Sequence, residues 1–294
     1  MSIAGIFPPI ATPFDADGDV DYPALRANAA RWMTTPLRGL VVLGSNGEAA
    51  LVGDDEAERI VGEVRALVPR DRLVVAGTGR DATRATIDAC RRAARVGADY
   101  ALVRVPMAFK AQLTADALLR HYRAVADASP IPVLLYDFPQ SFGLTLPPPV
   151  IVSLAAHENV VGMKESSGDL AQIADQVSST PDRFEVVVGS APTLYASLCV
   201  GAVGGVVAVA NVVPEVCVRL YEATRAGRHD EALALQRRLT PLARAVTATY
   251  GVPGLKAAMS IAGYRGGLPR APLAPCPPAV EAELRAMIDA LLRD

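Results

Sequence analysis

Residues 133–164 read VLLYDFPQSFGLTLPPPVIVSLAAHENVVGMK, and the fold is decided there. Two apolar runs, 133–136 and 160–164, enclose a segment at 147–156 whose apolar residues have helical spacing. The runs are continuously apolar rather than alternating, which is the pattern of parallel strands covered on both faces. A helix is the usual connection between two such strands. Outward from this unit, further strands are predicted at residues 5–11, 39–44, 73–77, 100–105, 185–189 and 204–210. Helices are predicted at 23–33, 54–68, 82–96, 115–128, 170–179 and 192–200, with Asp21, Asp54 and Thr114 as N-caps. Eight strand–helix repeats make a (β/α)8 TIM barrel, an α/β fold. The residues after about 214 predict the eighth helix and three more, punctuated by Gly227, Gly251, Gly254, Gly266 and Gly267. The expected organisation is a barrel over residues 1–226 and a C-terminal helical extension over 227–294.

Composition narrows what such a barrel does. The 294 residues are 51% hydrophobic, enough for a large core, and the formal net charge of −2 leaves no electrostatic footprint for nucleic acid. Residues 191–214 carry no charge, but their glycines and prolines suit a helix, a turn and a buried strand rather than a membrane span. The opening MSIAGIFPPI lacks a basic region and is broken by Pro8 and Pro9, so no signal peptide is expected. Cys90, Cys199, Cys217 and Cys276 form no C-x-x-C pair and suit a reducing cytoplasm. His121, His157 and His229 are scattered, so no His-built metal site is expected.

Lysine usage is the most informative count. Of 29 basic residues only Lys110, Lys164 and Lys256 are lysine. Arginine stays protonated and forms no imine, whereas a desolvated lysine amine is a nucleophile for carbonyls. Lys164 ends the sixth strand, where barrels place their chemistry. If it faces the mouth, Glu165 faces away, because neighbouring strand residues alternate. Tyr136 ends the fifth strand, one strand spacing of about 4.8 Å from Lys164, so a phenol and an amine meet at the same mouth. After the second strand, Gly44-Ser45-Asn46-Gly47-Glu48 makes a tight turn with a hydroxyl, an amide and backbone N–H groups suited to an anion. Lys110, in a loop, and Lys256, in a helical stretch beyond the barrel, read as structural.

Two other patterns are set aside. Asp15, Asp17, Asp19 and Asp21 alternate, but Gly18 is misplaced and no acidic residue closes a calcium loop. Gly189-Ser190 and Gly204-Gly205 sit where barrels often bind phosphate, yet no basic residue accompanies them.

These residues resemble, over essentially the whole chain, the pyruvate-dependent class I aldolases grouped with dihydrodipicolinate synthase and N-acetylneuraminate lyase. The matching pieces are Gly44-Ser45-Asn46-Gly47-Glu48, Tyr136-Asp137-Phe138-Pro139 and Gly162-Met163-Lys164-Glu165-Ser166-Ser167-Gly168-Asp169. The resemblance implies that Lys164 forms a Schiff base with pyruvate, Tyr136 shuttles protons and Ser45 relays them. It also implies that Asn46 holds the pyruvate carboxylate, with Gly47, Ser166 and Val206 in the binding set and neither metal nor organic cofactor required. A homodimer or homotetramer is implied in the same way.

Two departures bear on substrate. Where the synthase branch has an arginine that grips the aldehyde's carboxylate, this chain has Ser141, and where many members have a tyrosine reaching the neighbouring subunit, the aligned residue is Ala108. With Gly204-Gly205, Ala210-Asn211 and residues 251–256, the chain looks closest to 4-hydroxy-2-oxoglutarate and 2-oxo-3-deoxy-acid aldolases. The expected partners are pyruvate and a small aldehyde such as glyoxylate, in an uncharged second half-site. The alternatives are 4-hydroxy-tetrahydrodipicolinate synthase, a sugar-acid dehydratase using the same imine, or a non-catalytic 2-oxo-acid-binding barrel.

Overall fold

The computed structural model describes residues 2–293. Eight parallel strands alternate with helices: β1 Gly5–Phe7, β2 Gly39–Val42, β3 Leu73–Gly77, β4 Tyr100–Arg104, β5 Val133–Asp137, β6 Val160–Glu165, β7 Glu185–Val188 and β8 Gly204–Val206. They hydrogen-bond in the order β1-β8-β7-β6-β5-β4-β3-β2, each to its sequence neighbour with β8 returning to β1. The β1–β2 seam is closed by a bridge between Pro9 and Val41 and by Arg38 N–H donating to the Ile6 carbonyl at 3.0 Å. The result is the expected TIM barrel. Its first strand stops at Phe7 instead of running to residue 11, because Pro8 and Pro9 have no N–H for a ladder. The eighth stops at Val206, where Asn211 turns the chain by donating to the Pro9 and Ala208 carbonyls at 3.0 and 2.9 Å.

The outer helices are α1 Tyr22–Trp32, α2 Asp54–Arg65, α3 Thr83–Arg95, α4 Ala115–Ala128, the single turn α5 Pro139–Phe142, α6 Pro148–Ala155, α7 Leu170–Ser179, α8 Leu194–Cys199 and α9 Pro214–Arg225. Asp21 and Thr114 accept from the N–H groups of Ala24 and Ala117, the caps expected of them. Asp54 is not a cap. It is the first residue of α2, whose cap is Gly53, and the Glu56 carboxylate accepts from the Gly53 N–H at 3.0 Å. The aspartate-rich run is a local turn in which the Asp15 carboxylate accepts from the N–H groups of Asp17 and Asp19.

After the barrel come α10 His229–Arg244, a π-helical turn Ala245–Thr249, α11 Gly251–Ile261 and α12 Pro278–Leu292. Gln236 ties α10 to the barrel mouth: its amide donates to the Ala191 carbonyl at 3.0 Å and accepts from the Tyr195 N–H at 2.9 Å. This anchor sets the π-turn over the C-terminal ends of β7 and β8. The core runs from strand residues such as Val41 and Leu135 to Leu239 and Leu255 of the added helices as one contiguous apolar cluster. Among the described residues no helix is long and apolar enough to cross a membrane.

Candidate active site

The β5–β6 register pairs Tyr136 with Lys164 directly, so both side chains project into the barrel mouth at one level. Lys164 Nζ donates to Tyr136 Oη at 3.2 Å, and Ser45 Oγ lies 3.3 Å from the same phenol oxygen. The three form a chain of exchangeable protons running from the amine to the turn after β2. Lys164 and Tyr136 are buried, and the ammonium position also lies 4.3 Å from the Tyr136 ring centroid. Phe142 packs edge-on against that ring at 5.1 Å and fixes its plane.

Glu165 does point away from the mouth, as alternation requires. Its carboxylate accepts from the Ser167 N–H at 2.8 Å, and burial raises its pKa above the usual carboxylate range. Asp137, one register position along, is raised by burial too, while Thr145 Oγ1 donates to it at 2.7 Å and the Leu146 N–H at 3.2 Å. These two carboxylates pin the loops behind the site and leave Lys164 without a carboxylate within ion-pair distance among the described residues.

Lys164, Tyr136, Ser45, Asn46, Ser166 and Val206 line one cavity of about 1570 Å³, including its open mouth. Gly47 does not join them. It lies buried beneath the turn, where its carbonyl accepts from Thr12 Oγ1 at 2.8 Å. Ser166 Oγ, buried and facing the cavity, has no hydrogen-bonding partner among the described residues, and a buried hydroxyl of this kind is satisfied by a ligand or water. A second opening of about 790 Å³ reaches Tyr136 and Ser45 from the β3–β4 side, past Arg104 and Met107. The proton chain therefore stands in the wall between two cavities.

Four contributions were not visible in the sequence motifs. Gly189 is required by space: a Cβ there would lie 2.0 Å from Ser166 Oγ and 3.0 Å from Lys164 Cε. The π-turn contributes Thr247 and Thr249, and α10 contributes Arg244, so the second half-site is not uncharged as expected. Arg244 escapes sequence reasoning because nothing near the lysine motif signals a residue brought in by the packing of a later helix.

The fourth is Lys256. It is structural, but it lies beneath the Ser45–Asn46 turn and not on the surface of an appended helix. Its Nζ is 2.5 Å from Glu48 Oε1 and donates to the Leu268 carbonyl at 2.6 Å. Glu48 is left-handed at φ 55°, as is Leu43 at φ 59°, so two strained residues bracket the Ser45–Asn46 turn. The buried ion pair and the Arg270 N–H, donating to Glu48 Oε2 at 2.8 Å, hold that backbone. Burial lowers the pKa of Lys256, and Glu48 opposes the shift.

The loop after β4 presents Phe109, 81% exposed and left-handed at φ 54°, beside the partly buried Ala108. Neither carries a hydroxyl.

Known proteins are similar to this chain in sequence and fold. The sequence matches the Dihydrodipicolinate synthetase family over residues 2–291. It is 33% identical to the 4-hydroxy-tetrahydrodipicolinate synthase of Exiguobacterium sp., covering 97% of each chain. It is 37% identical to the probable mitochondrial 4-hydroxy-2-oxoglutarate aldolase of Emericella nidulans, covering 80% of this chain and 77% of the other. Further relatives of similar identity carry the synthase name. A prophage protein of the dihydrodipicolinic acid synthase family from E. coli K12, solved in complex with pyruvate, superposes with a TM-score of 0.92 at 28% identity over 99% of each chain. The chain belongs to the dihydrodipicolinate synthetase family, as a pyruvate-dependent class I aldolase or lyase.

Proposed function

We propose that the chain makes or breaks a C–C bond between pyruvate and a small aldehyde, of the 4-hydroxy-2-oxoglutarate or 2-oxo-3-deoxy-acid type, in the cytoplasm and as a homodimer or homotetramer. The observation that carries the choice of acceptor is Ser141. On α5, facing the cavity, it offers a hydroxyl where a synthase places its arginine.

In the cleavage direction, Lys164 Nζ attacks C2 of the 2-oxo acid and water leaves, giving a protonated imine. Tyr136 Oη accepts the proton of the C4 hydroxyl, the C3–C4 bond breaks, and its electron pair moves into the imine to give an enamine. The aldehyde leaves, C3 of the enamine is protonated, and water releases pyruvate and the free amine. Ser45 passes the proton between Tyr136 and the second cavity, where water serves in place of a partner's tyrosine. Asn46 and Ser166 hold the carboxylate end.

The relatives' names favour a second reading, 4-hydroxy-tetrahydrodipicolinate synthase acting on pyruvate and aspartate semialdehyde. Borohydride trapping with pyruvate, read by peptide mass, is expected to label Lys164. Turnover is then compared between 4-hydroxy-2-oxoglutarate cleavage and condensation with aspartate semialdehyde. Faster turnover of the semialdehyde would replace the first reading with the second, and an adduct with no turnover on any aldehyde would leave a binding protein.

A further inference from the structure

Among the described residues, the cavity that holds Lys164 is lined by two cationic side chains, Lys164 and Arg244, and by no carboxylate. If Lys164 becomes the imine, Arg244, which is exposed, is the positive charge left along the cavity to meet the other end of the substrate. It makes no ion pair and no side-chain hydrogen bond among the described residues, whereas its helix neighbour Arg238 donates to the Leu291 carbonyl at 2.8 Å. Its place is set by the fold. Gln236, two turns earlier on α10, is bonded at both ends to the loop after β7, and the π-turn that follows Arg244 supplies Thr247 and Thr249 to the same wall. The α5 side of the cavity offers Gln140 and Ser141, which are neutral donors and acceptors.

We infer that Arg244 is a specificity-determining residue that receives an oxyanion at the far end of the acceptor aldehyde, so that the natural acceptor is an anionic aldehyde bearing a carboxylate. This rests on the aldolase reading above and assigns the charge of its second substrate. The carboxylate of pyruvate meets Asn46 and the Ser45 turn at one end of the cavity. The acceptor's carboxylate meets a guanidinium that forms two parallel hydrogen bonds with it. A position in the last turn of α10 also suits a cation electrostatically, and that alone would stabilise the helix without touching kinetics.

The test compares the parent chain with Arg244→Gln and Arg244→Lys, using glyoxylate and succinic semialdehyde as anionic acceptors and glycolaldehyde as a neutral one, each condensed with pyruvate. The expected result is a KM for the anionic acceptors raised about ten- to a hundred-fold in Arg244→Gln, the size of a lost hydrogen bond to a charged group. Arg244→Lys recovers part of it, and glycolaldehyde kinetics and the pyruvate adduct at Lys164 stay unchanged. Equal changes for neutral and anionic aldehydes, or none, would overturn the proposal and leave Arg244 as a helix-end residue. Absence of the adduct from the parent chain would overturn the imine reading itself, and the specificity assignment with it.

Discussion

Lys164 and Lys256 are 3% and 2% exposed, yet the two regions around them are built to opposite ends. Lys164 has a phenol as its hydrogen-bonding partner and an open cavity in front of it. Lys256 has a carboxylate at 2.5 Å, a carbonyl at 2.6 Å and the Phe14 ring 4.5 Å away. Burial is common to both and so does not mark a reactive amine. The partner does: a carboxylate commits the lysine to an ion pair, whereas a phenol can take up or return a proton as the amine forms and breaks a bond. The ion pair nevertheless bears on the candidate site, because it holds the turn that carries Ser45.

This contrast breaks if either lysine behaves like the other. Lys164→Ala is expected to abolish the trapped adduct and lower kcat/KM by roughly a thousand-fold or more in steady-state assays, with cooperative unfolding retained. Lys256→Met is expected to cost about 3–5 kcal/mol in urea unfolding, since it strands the buried Glu48. Adding Glu48→Gln then recovers part of the loss, and a Lys256→Met chain of unchanged stability would mean the pair holds nothing.

His121 sharpens the comparison, being a further buried titratable group and, like Lys164, one with no carboxylate partner among the described residues. Its Nδ1 lies 2.9 Å from Thr83 Oγ1, and burial, aided by the Arg104 charge, brings its pKa from the ordinary 6.5 to about 4. Below pH 6.5 the unfolded chain takes up a proton that the folded chain refuses. Stability is therefore expected to fall between pH 6.5 and 4, by up to about 3 kcal/mol, and denaturant titrations of His121→Gln should show a shallower slope. The smallest effect belongs to Lys110→Ala, at the exposed first residue of a short 3-10 turn over Lys110–Gln112, for which a change of stability within about 0.5 kcal/mol and an unaltered adduct are expected.

The barrel was legible because each strand is a continuous apolar run, and the strand ends went astray by more than two residues only where Pro8–Pro9 and Asn211 act through the backbone. The amine–phenol pair was legible for a related reason: parallel neighbours share a level, so two strand-end residues imply a contact. Gly189 was noticed for the wrong property, a phosphate loop, when what matters is the missing Cβ beside Ser166 and Lys164. Arg244 and the Lys256–Glu48 pair join segments remote in sequence, and no local period or spacing reports such a contact.

The burial of two of the three lysines has a practical corollary for labelling chemistry. Acylating reagents, carbonyl cross-linkers and reductive methylation, which ordinarily find dozens of targets on a protein surface, meet one exposed side-chain amine here, Lys110. A reagent small enough to enter the barrel mouth therefore reports on Lys164 against an almost silent background, and the kinetics of its incorporation read the accessibility of that amine directly.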